Sequence, residues 1–290
     1  MAKKEIYLNR SLISKLKSNE EIDNEHLKNQ FISLFHSNEE LISSLRYAQI
    51  IQGGVLPKSR HFKRLVEDSF ILYKPQSYIS GDFYWIGEVG GKILFAVGDC
   101  TGHGVPGAML TMLAQSFLNH IVLGKQLYNT SAILKEFDNK FIETFQNENE
   151  NFYSNDWIDI ALCCFDRDTF ELDFAGAKRK VLIVSKNDTR ILKGSNYPLG
   201  GWQIESDRQF ESSKIQLKKG DMVYMGSDGF QDQIGGDKSK KFGSKQLHNV
   251  LEEMYSLACE NQLKILKKKL KDWKLEEQQL DDICIMGIRI

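Results

Sequence analysis

The stretch Asp82-Phe83-Tyr84-Trp85-Ile86-Gly87-Glu88-Val89-Gly90-Gly91-Lys92-Ile93-Leu94-Phe95-Ala96-Val97-Gly98-Asp99 constrains this chain more than any other. Two apolar and aromatic runs flank Gly-Gly, a favoured two-residue hairpin loop. A loop at Gly90-Gly91 pairs Val89 with Lys92. Counted back from there, Phe83 faces Gly98, Trp85 faces Ala96, Ile86 faces Phe95, and Asp82 stands opposite Asp99. Directly opposed residues hold their Cβ atoms roughly 4.5–5.5 Å apart, and like charges at that spacing destabilise a sheet. A cation between the carboxylates removes the penalty. An all-oxygen donor set suits a hard divalent ion, Mg²⁺ or Mn²⁺, over zinc.

Other acids repeat the pattern. Asp228 follows an apolar run in Met225-Gly226-Ser227-Asp228-Gly229, and Asp281-Asp282 open the final run Ile283–Ile290. Read singly, each is a turn or cap residue. Strand-start and strand-end acids of antiparallel neighbours gather on one sheet edge, however, and glycines beside them let backbone approach closely. Two ions about 3.5–4 Å apart at such an edge would generate a hydroxide nucleophile and hold a phosphoryl oxygen.

Short strands are expected at Ser69–Tyr73, Asp82–Val89, Lys92–Val97, Asp159–Phe165, Phe170–Ala175, Val181–Val184, Lys214–Leu217, Met222–Met225 and Ile283–Ile290. Helices are expected at Val105–Val122, at Ser131–Phe145, and near the C-terminus, where the lysines form a solvated face. The class is α+β over residues 61–290. Residues 1–60 read as a separate helical segment, stopped by Gly53-Gly54 and Pro57. Within it Leu27, Phe31, Leu34, Leu41, Leu45 and Ala48, with Asn38 in the skipped place, follow a 4-3 heptad spacing. That stripe is either a packing face or a homodimer seam through residues 27–48.

Lys+Arg 38 against Asp+Glu 39 gives a formal charge of −1, so no global pull toward nucleic acid or anionic lipid exists. Five cysteines without a CxxC pair fit buried thiols in a reducing compartment better than a disulfide framework. Apolar runs such as Ile93–Val97 are far shorter than the ~20 residues of a membrane span. No apolar leader opens the sequence. The expectation is a soluble, cytoplasmic chain.

Four segments carry a resemblance: Ser80-Gly81-Asp82-Phe83-Tyr84-Trp85, Asp99-Cys100-Thr101-Gly102-His103-Gly104-Val105-Pro106-Gly107-Ala108, Ser227-Asp228-Gly229-Phe230 and Asp281-Asp282-Ile283. In this order they resemble the metal-dependent (type-2C, PPM) serine/threonine phosphatases, in the bacterial SpoIIE-like branch of sporulation and stress regulators. The resemblance implies a central β-sandwich of two antiparallel sheets flanked by helices, and two Mn²⁺ or Mg²⁺ ions. It implies that Asp99 bridges the ions, that Asp82 and the Cys100 carbonyl serve one, and that Asp228 and Asp281 serve the other. The family uses the first acid of the Asp281-Asp282 pair, and a metal-bridging water attacks phosphorus. His103 is either a general acid or a loop-shaping turn residue. Arg179, in Ala175-Gly176-Ala177-Lys178-Arg179-Lys180, is either a bidentate phosphate ligand or part of a solvated basic turn. The implied substrate is a phosphorylated partner-switching protein such as an anti-sigma-factor antagonist. A catalytically weak scaffold and another two-metal phosphomonoester hydrolase are the alternatives.

Overall fold

The computed structural model describes residues 24–145, 155–186, 188–201 and 208–290. Contacts divide the chain at Gly53/Gly54 into two units. Helix α1 spans Asn24–Val55, running through Gly53-Gly54. The two glycines therefore do not stop it, contrary to the expectation. Pro57 does, by pushing the preceding Leu56 out of helical geometry. Residues 1–23 of the expected helical segment, and the Leu27 side chain, lie outside the described residues.

In the second unit, α2 (Ser59–Leu65) leads into β1 (Ser69–Lys74), β2 (Asp82–Val89) and β3 (Lys92–Cys100). Helix α3 (Val105–Leu118) continues through a π-helical turn, Asn119–Gly124, to α4 (Thr130–Phe145). Then come β4 (Trp157–Asp166), β5 (Glu171–Ala177), β6 (Lys180–Ser185), β7 (Asp188–Lys193), β8 (Leu199–Gly200), β9 (Ser212–Gln216) and β10 (Met222–Gly226). The chain ends with α5 (Gly229–Asp232), the short β11 (Ile234–Gly235) and β12 (Lys240–Lys241), α6 (Ser244–Met254), α7 (Cys259–Lys274) and β13 (Ile283–Arg289).

Two antiparallel sheets form, one ordered β1-β13-β10-β6-β7 and the other β2-β3-β4-β5-β9 with β8 beside β4. Side-chain alternation explains the layering. In β3, Leu94 and Ala96 pack outward against α3 and α4, whereas Ile93, Phe95 and Val97 join the core between the sheets. The second sheet alternates likewise: Val181, Ile183, Val223 and Met225 face inward, and Leu182, Tyr224 and Ile285 face α6 and α7. Helix, sheet, sheet and helix are thus stacked around three apolar cores. Each fully buried large side chain, such as Phe83, Trp85 or Phe95, contributes roughly 1.5–3 kcal/mol.

The hairpin forms as counted. Gly90 and Gly91 take φ of 56° and 79°, the left-handed conformation of a type I′ turn. Asp82 pairs with Asp99, Phe83 with Gly98, Trp85 with Ala96 and Ile86 with Phe95.

Candidate active site

The inward-facing rows do not end where the apolar core ends. In β3 the row Ile93, Phe95, Val97 continues to Asp99, and in β4 the row Cys163, Ala161 continues to Asp159. In β2, Ile86 and Tyr84 lead to Asp82, and in β13, Met286 and Cys284 lead back to Asp282. The same parity carries β10 to Ser227 and β6 back to Arg179. One edge of the intersheet core is therefore polar, and it holds most of the residues the sequence singled out.

Arg179 sits in the middle of that edge. Its guanidinium donates to Asp99 and, at 3.2 Å, to Asp228, and lies 3.5 Å from Asp159. Its side chain is only 11% exposed. The solvated-turn reading is thus corrected: parity turns Arg179 between the sheets, and three carboxylates offset the cost of burying it. Burial alone would lower its pKa, but Asp99, Asp228, Asp159 and Asp82 outweigh that and raise it.

Asp82 is almost fully buried and accepts a 2.5 Å hydrogen bond from the Ser227 hydroxyl. Burial, followed by the charge of Asp99, raises its carboxyl well above the usual range, against the Ser227 bond. Burial pushes Asp99 up to about 7; Arg179 opposes the rise, while Asp228, Asp281 and Asp159 add to it. Burial likewise raises Asp159 and Asp281. His103, on the exposed loop between β3 and α3, works against the rise at Asp281.

Asp282 has a different task. Its Oδ1 accepts the Gln76 N–H at 2.6 Å and its Oδ2 the Gly81 N–H at 2.7 Å. That clamps the entry to β2, so the carboxylate is committed to backbone and Asp281 is left facing the cluster. Glycines bring the loop after Asp99 against this entry. A Cβ on Gly81 would meet the Gly102 carbonyl at 2.6 Å and the Cys100 carbonyl at 3.1 Å; one on Gly107 would stand 2.3 Å from the Gly102 carbonyl. The Cys100 carbonyl thus lies beside Asp82, where the sequence expects a ligand.

Among the described residues, no three carboxylate, thiol or imidazole side chains converge closely enough to hold a metal ion as they stand. Arg179 lies between Asp99 and Asp228, and Ser227 takes an oxygen of Asp82. The donor chemistry nevertheless fits a hard cation. The set is all oxygen, burial first of all raises the carboxyls of Asp82, Asp99, Asp159 and Asp281, and Asp159 Oδ1 is buried with no hydrogen-bond partner.

Sequence reasoning missed Asp159. It opens the strand expected at Asp159–Phe165 and is the direct β4 partner of Asp99, so the strand-terminus rule applied to the other acids would have found it. It lacks the adjacent glycine or aspartate that drew attention to them.

A family profile described as Stage II sporulation protein E (SpoIIE) matches residues 89–290. The solved SiaA PP2C domain of Pseudomonas aeruginosa shares 31% identity, over 88% of this chain and 98% of its own, with a TM-score of 0.79. The chain belongs to the SpoIIE family. It is a PP2C-type protein-serine/threonine phosphatase. The fold is also that of the PP2C phosphatase domain of Bacillus subtilis SpoIIE, solved with a fragment of its regulatory domain (18% identity, 77% of this chain and 63% of that one, TM-score 0.62). RsbX in complex with magnesium shares the fold at 13% identity, over 77% and 94% of the two chains, with a TM-score of 0.52. No curated protein sequence matches the chain. The family is metal-dependent, in keeping with the oxygen-only donors of this SpoIIE-family edge.

Proposed function

We propose that this phosphatase removes phosphate from a phosphoserine or phosphothreonine of a regulatory, partner-switching protein, at the polar edge of the sandwich. The observation that carries the reading is the gathering of Asp82, Asp99, Asp159 and Asp228 around one buried guanidinium. Asp82, Asp99, Asp228, Asp281 and the Cys100 carbonyl would hold two Mn²⁺ or Mg²⁺ ions. Such ions would supply Lewis acidity toward phosphoryl oxygens and lower the pKa of an attacking water.

The remaining tasks fall to the chain's own residues. Arg179 offers a planar fork of donors, with an Nε buried and unpartnered, which suits bidentate capture of a phosphate. His103 is exposed on the loop between β3 and α3, close enough to Asp281 to oppose the rise of its pKa, and would donate a proton to a leaving seryl oxygen. Asp282 and the Gly81–Gly102–Gly107 contact hold the backbone that carries these groups. A partner-switching substrate draws support from the fold shared with the RsbU and RsbW domains of a Mycobacterium tuberculosis protein and with a protein described with the bacterial stressosome. The buried, unpaired cysteines support a cytoplasmic setting. We propose in addition that the chain dimerises through residues 27–48.

The test is hydrolysis of a phosphoserine peptide and of p-nitrophenyl phosphate with and without Mn²⁺. Asp99→Asn should lower both rates by orders of magnitude. Full activity of that variant at saturating Mn²⁺ would overturn the reading.

A further inference from the structure

A second polar feature adjoins the carboxylate edge, and it is positive. Lys180 opens β6 and Lys193 closes β7, and the two are direct cross-strand partners. Like charges in that position destabilise a sheet. Among the described residues, neither lysine forms an ion pair or a side-chain hydrogen bond. Burial first, and then Lys193, lower the Lys180 pKa, and among the described residues no acid offsets the pair.

Both lysines line a cavity of about 380 Å³ on the outer face of their sheet, between β6, β10 and α6. His248 of α6 joins them there, facing Lys180 and Glu252. Among the described residues, no carboxylate lines the cavity. Its walls include Arg179, which donates to Asp99 and Asp228, and Ser227, which donates to Asp82. The cavity therefore begins where the phosphatase centre ends.

We propose that the Lys180–Lys193 cavity is a specificity subsite that receives an acidic side chain of the phosphoprotein, a few residues from its phosphoserine. The inference rests on the phosphatase reading above and deepens it. Arg179 and Lys180 are consecutive at the start of β6 and their side chains point to opposite faces of the strand, so a peptide with its phosphoserine at Arg179 must round the strand end to bring an acid to the ammonium groups. At roughly 3.3 Å per residue of extended chain, a separation of a few residues spans that path. A nucleic acid fits less well, since the cavity takes one or two side chains and a formal charge of −1 provides no long-range attraction to a polyanion. Asp228 and the other centre carboxylates would repel an acid that strayed toward the phosphate position. Charge thus fixes which way the peptide lies.

The experiment compares three synthetic phosphoserine peptides on the full chain with Mn²⁺. One carries Asp and Glu before the phosphoserine, one carries them after it, and one has Asn and Gln in both places. Wild type should favour one acidic peptide over the neutral one by about tenfold in kcat/KM, the scale of one charge-assisted contact. In Lys180→Gln/Lys193→Gln that ratio should fall to within about twofold, and Lys180→Arg/Lys193→Arg should keep it. A ratio cancels any loss of folded protein. Equal turnover of all three peptides by wild type, or an unchanged ratio in the Gln variant, overturns the subsite alone. Failure to hydrolyse any of them overturns the phosphatase reading instead.

Discussion

The Arg179 guanidinium donates to the Asp99 carboxylate, so the acid expected to bridge two cations is bridged to Asp228 and Asp159 by a cation of the chain itself. Removing one partner of a buried ion pair leaves the other uncompensated, at about 3–5 kcal/mol. Arg179→Ala should therefore lower the melting temperature in EDTA. It should also lower the Mn²⁺ concentration needed for half-saturation in calorimetry, because Asp99 and Asp228 are no longer engaged. KM for a phosphopeptide should rise at least about tenfold through loss of the bidentate donor. Unchanged stability in EDTA would refute a buried pair.

The same crowding predicts an unusual pH dependence. Asp82, Asp99, Asp159 and Asp281 all have carboxyls raised by burial, Asp99 to about 7. A carboxyl whose pKa is higher folded than unfolded favours the native state at low pH. That contribution is complete below the unfolded value, near 4, and is lost as pH rises through the folded one. In EDTA, wild type should be more stable at about pH 5.5 than at about pH 8, and Asp99→Asn should remove part of the slope, on the order of 2 kcal/mol. Saturating Mn²⁺ should oppose the trend, because cations bind the ionised form. Equal slopes for wild type and variant in EDTA would exclude Asp99 as a source.

Asp281 and Asp282 are neighbours with separable roles. Asp282→Ala leaves the N–H groups of Gln76 and Gly81 without their acceptor, a loss of roughly 1–3 kcal/mol for each buried one. Asp281→Ala loses a carboxylate that accepts the N–H of Asp282, the residue next to it in the chain. Urea denaturation in EDTA should show a large loss for the first and a small one for the second. Mn²⁺ titration should show weakened binding for Asp281→Ala. A reversed order in urea would exchange the two roles.

The hairpin was legible because a Gly-Gly turn set its register, and the sandwich was legible through the family resemblance; the run Ile93–Val97 is apolar throughout and buried on both faces, so it names a core strand without naming which face meets which layer. The edge strand β7 (Asp188–Lys193) was missed, since its side chains are mostly exposed and carry little apolar pattern. The site was legible where a strand-end acid sat beside glycine or another aspartate, and Asp159, which has neither neighbour, was overlooked. Asp159 and Arg179 are 20 residues apart in sequence, and the pairing of β4 with β5, extended by the bridge between Ile160 and Lys178, brings them together. No local pattern encodes that. The helix stop expected at Gly53-Gly54 falls at Pro57 instead, because a glycine in a helix costs only ~1 kcal/mol and a following proline forbids helical geometry before it.

Helix α1 makes the remaining prediction. Of its heptad stripe, Phe31 and Leu41 are 54% and 52% exposed, and Leu34, Asn38, Leu45 and Ala48 are partly exposed. Ile32 and Phe35 add 44% and 46%. Stable monomers rarely leave so much contiguous apolar surface in water. A second copy of the same stripe would cover it, and a 4-3 spacing keeps a seam facing a partner helix over several turns, as a plain 3.6-residue period does not. Asn38 would fix register across that seam through a side-chain hydrogen bond to its mate, at some cost in stability. Leu34→Glu/Leu41→Glu puts four charges into a dimer seam and should give monomers by light scattering where wild type gives dimers. Asn38→Leu should do the reverse, tightening association while loosening its register. Wild type that is monomeric at high concentration, or a double variant with wild-type mass, would reduce the stripe to a packing face.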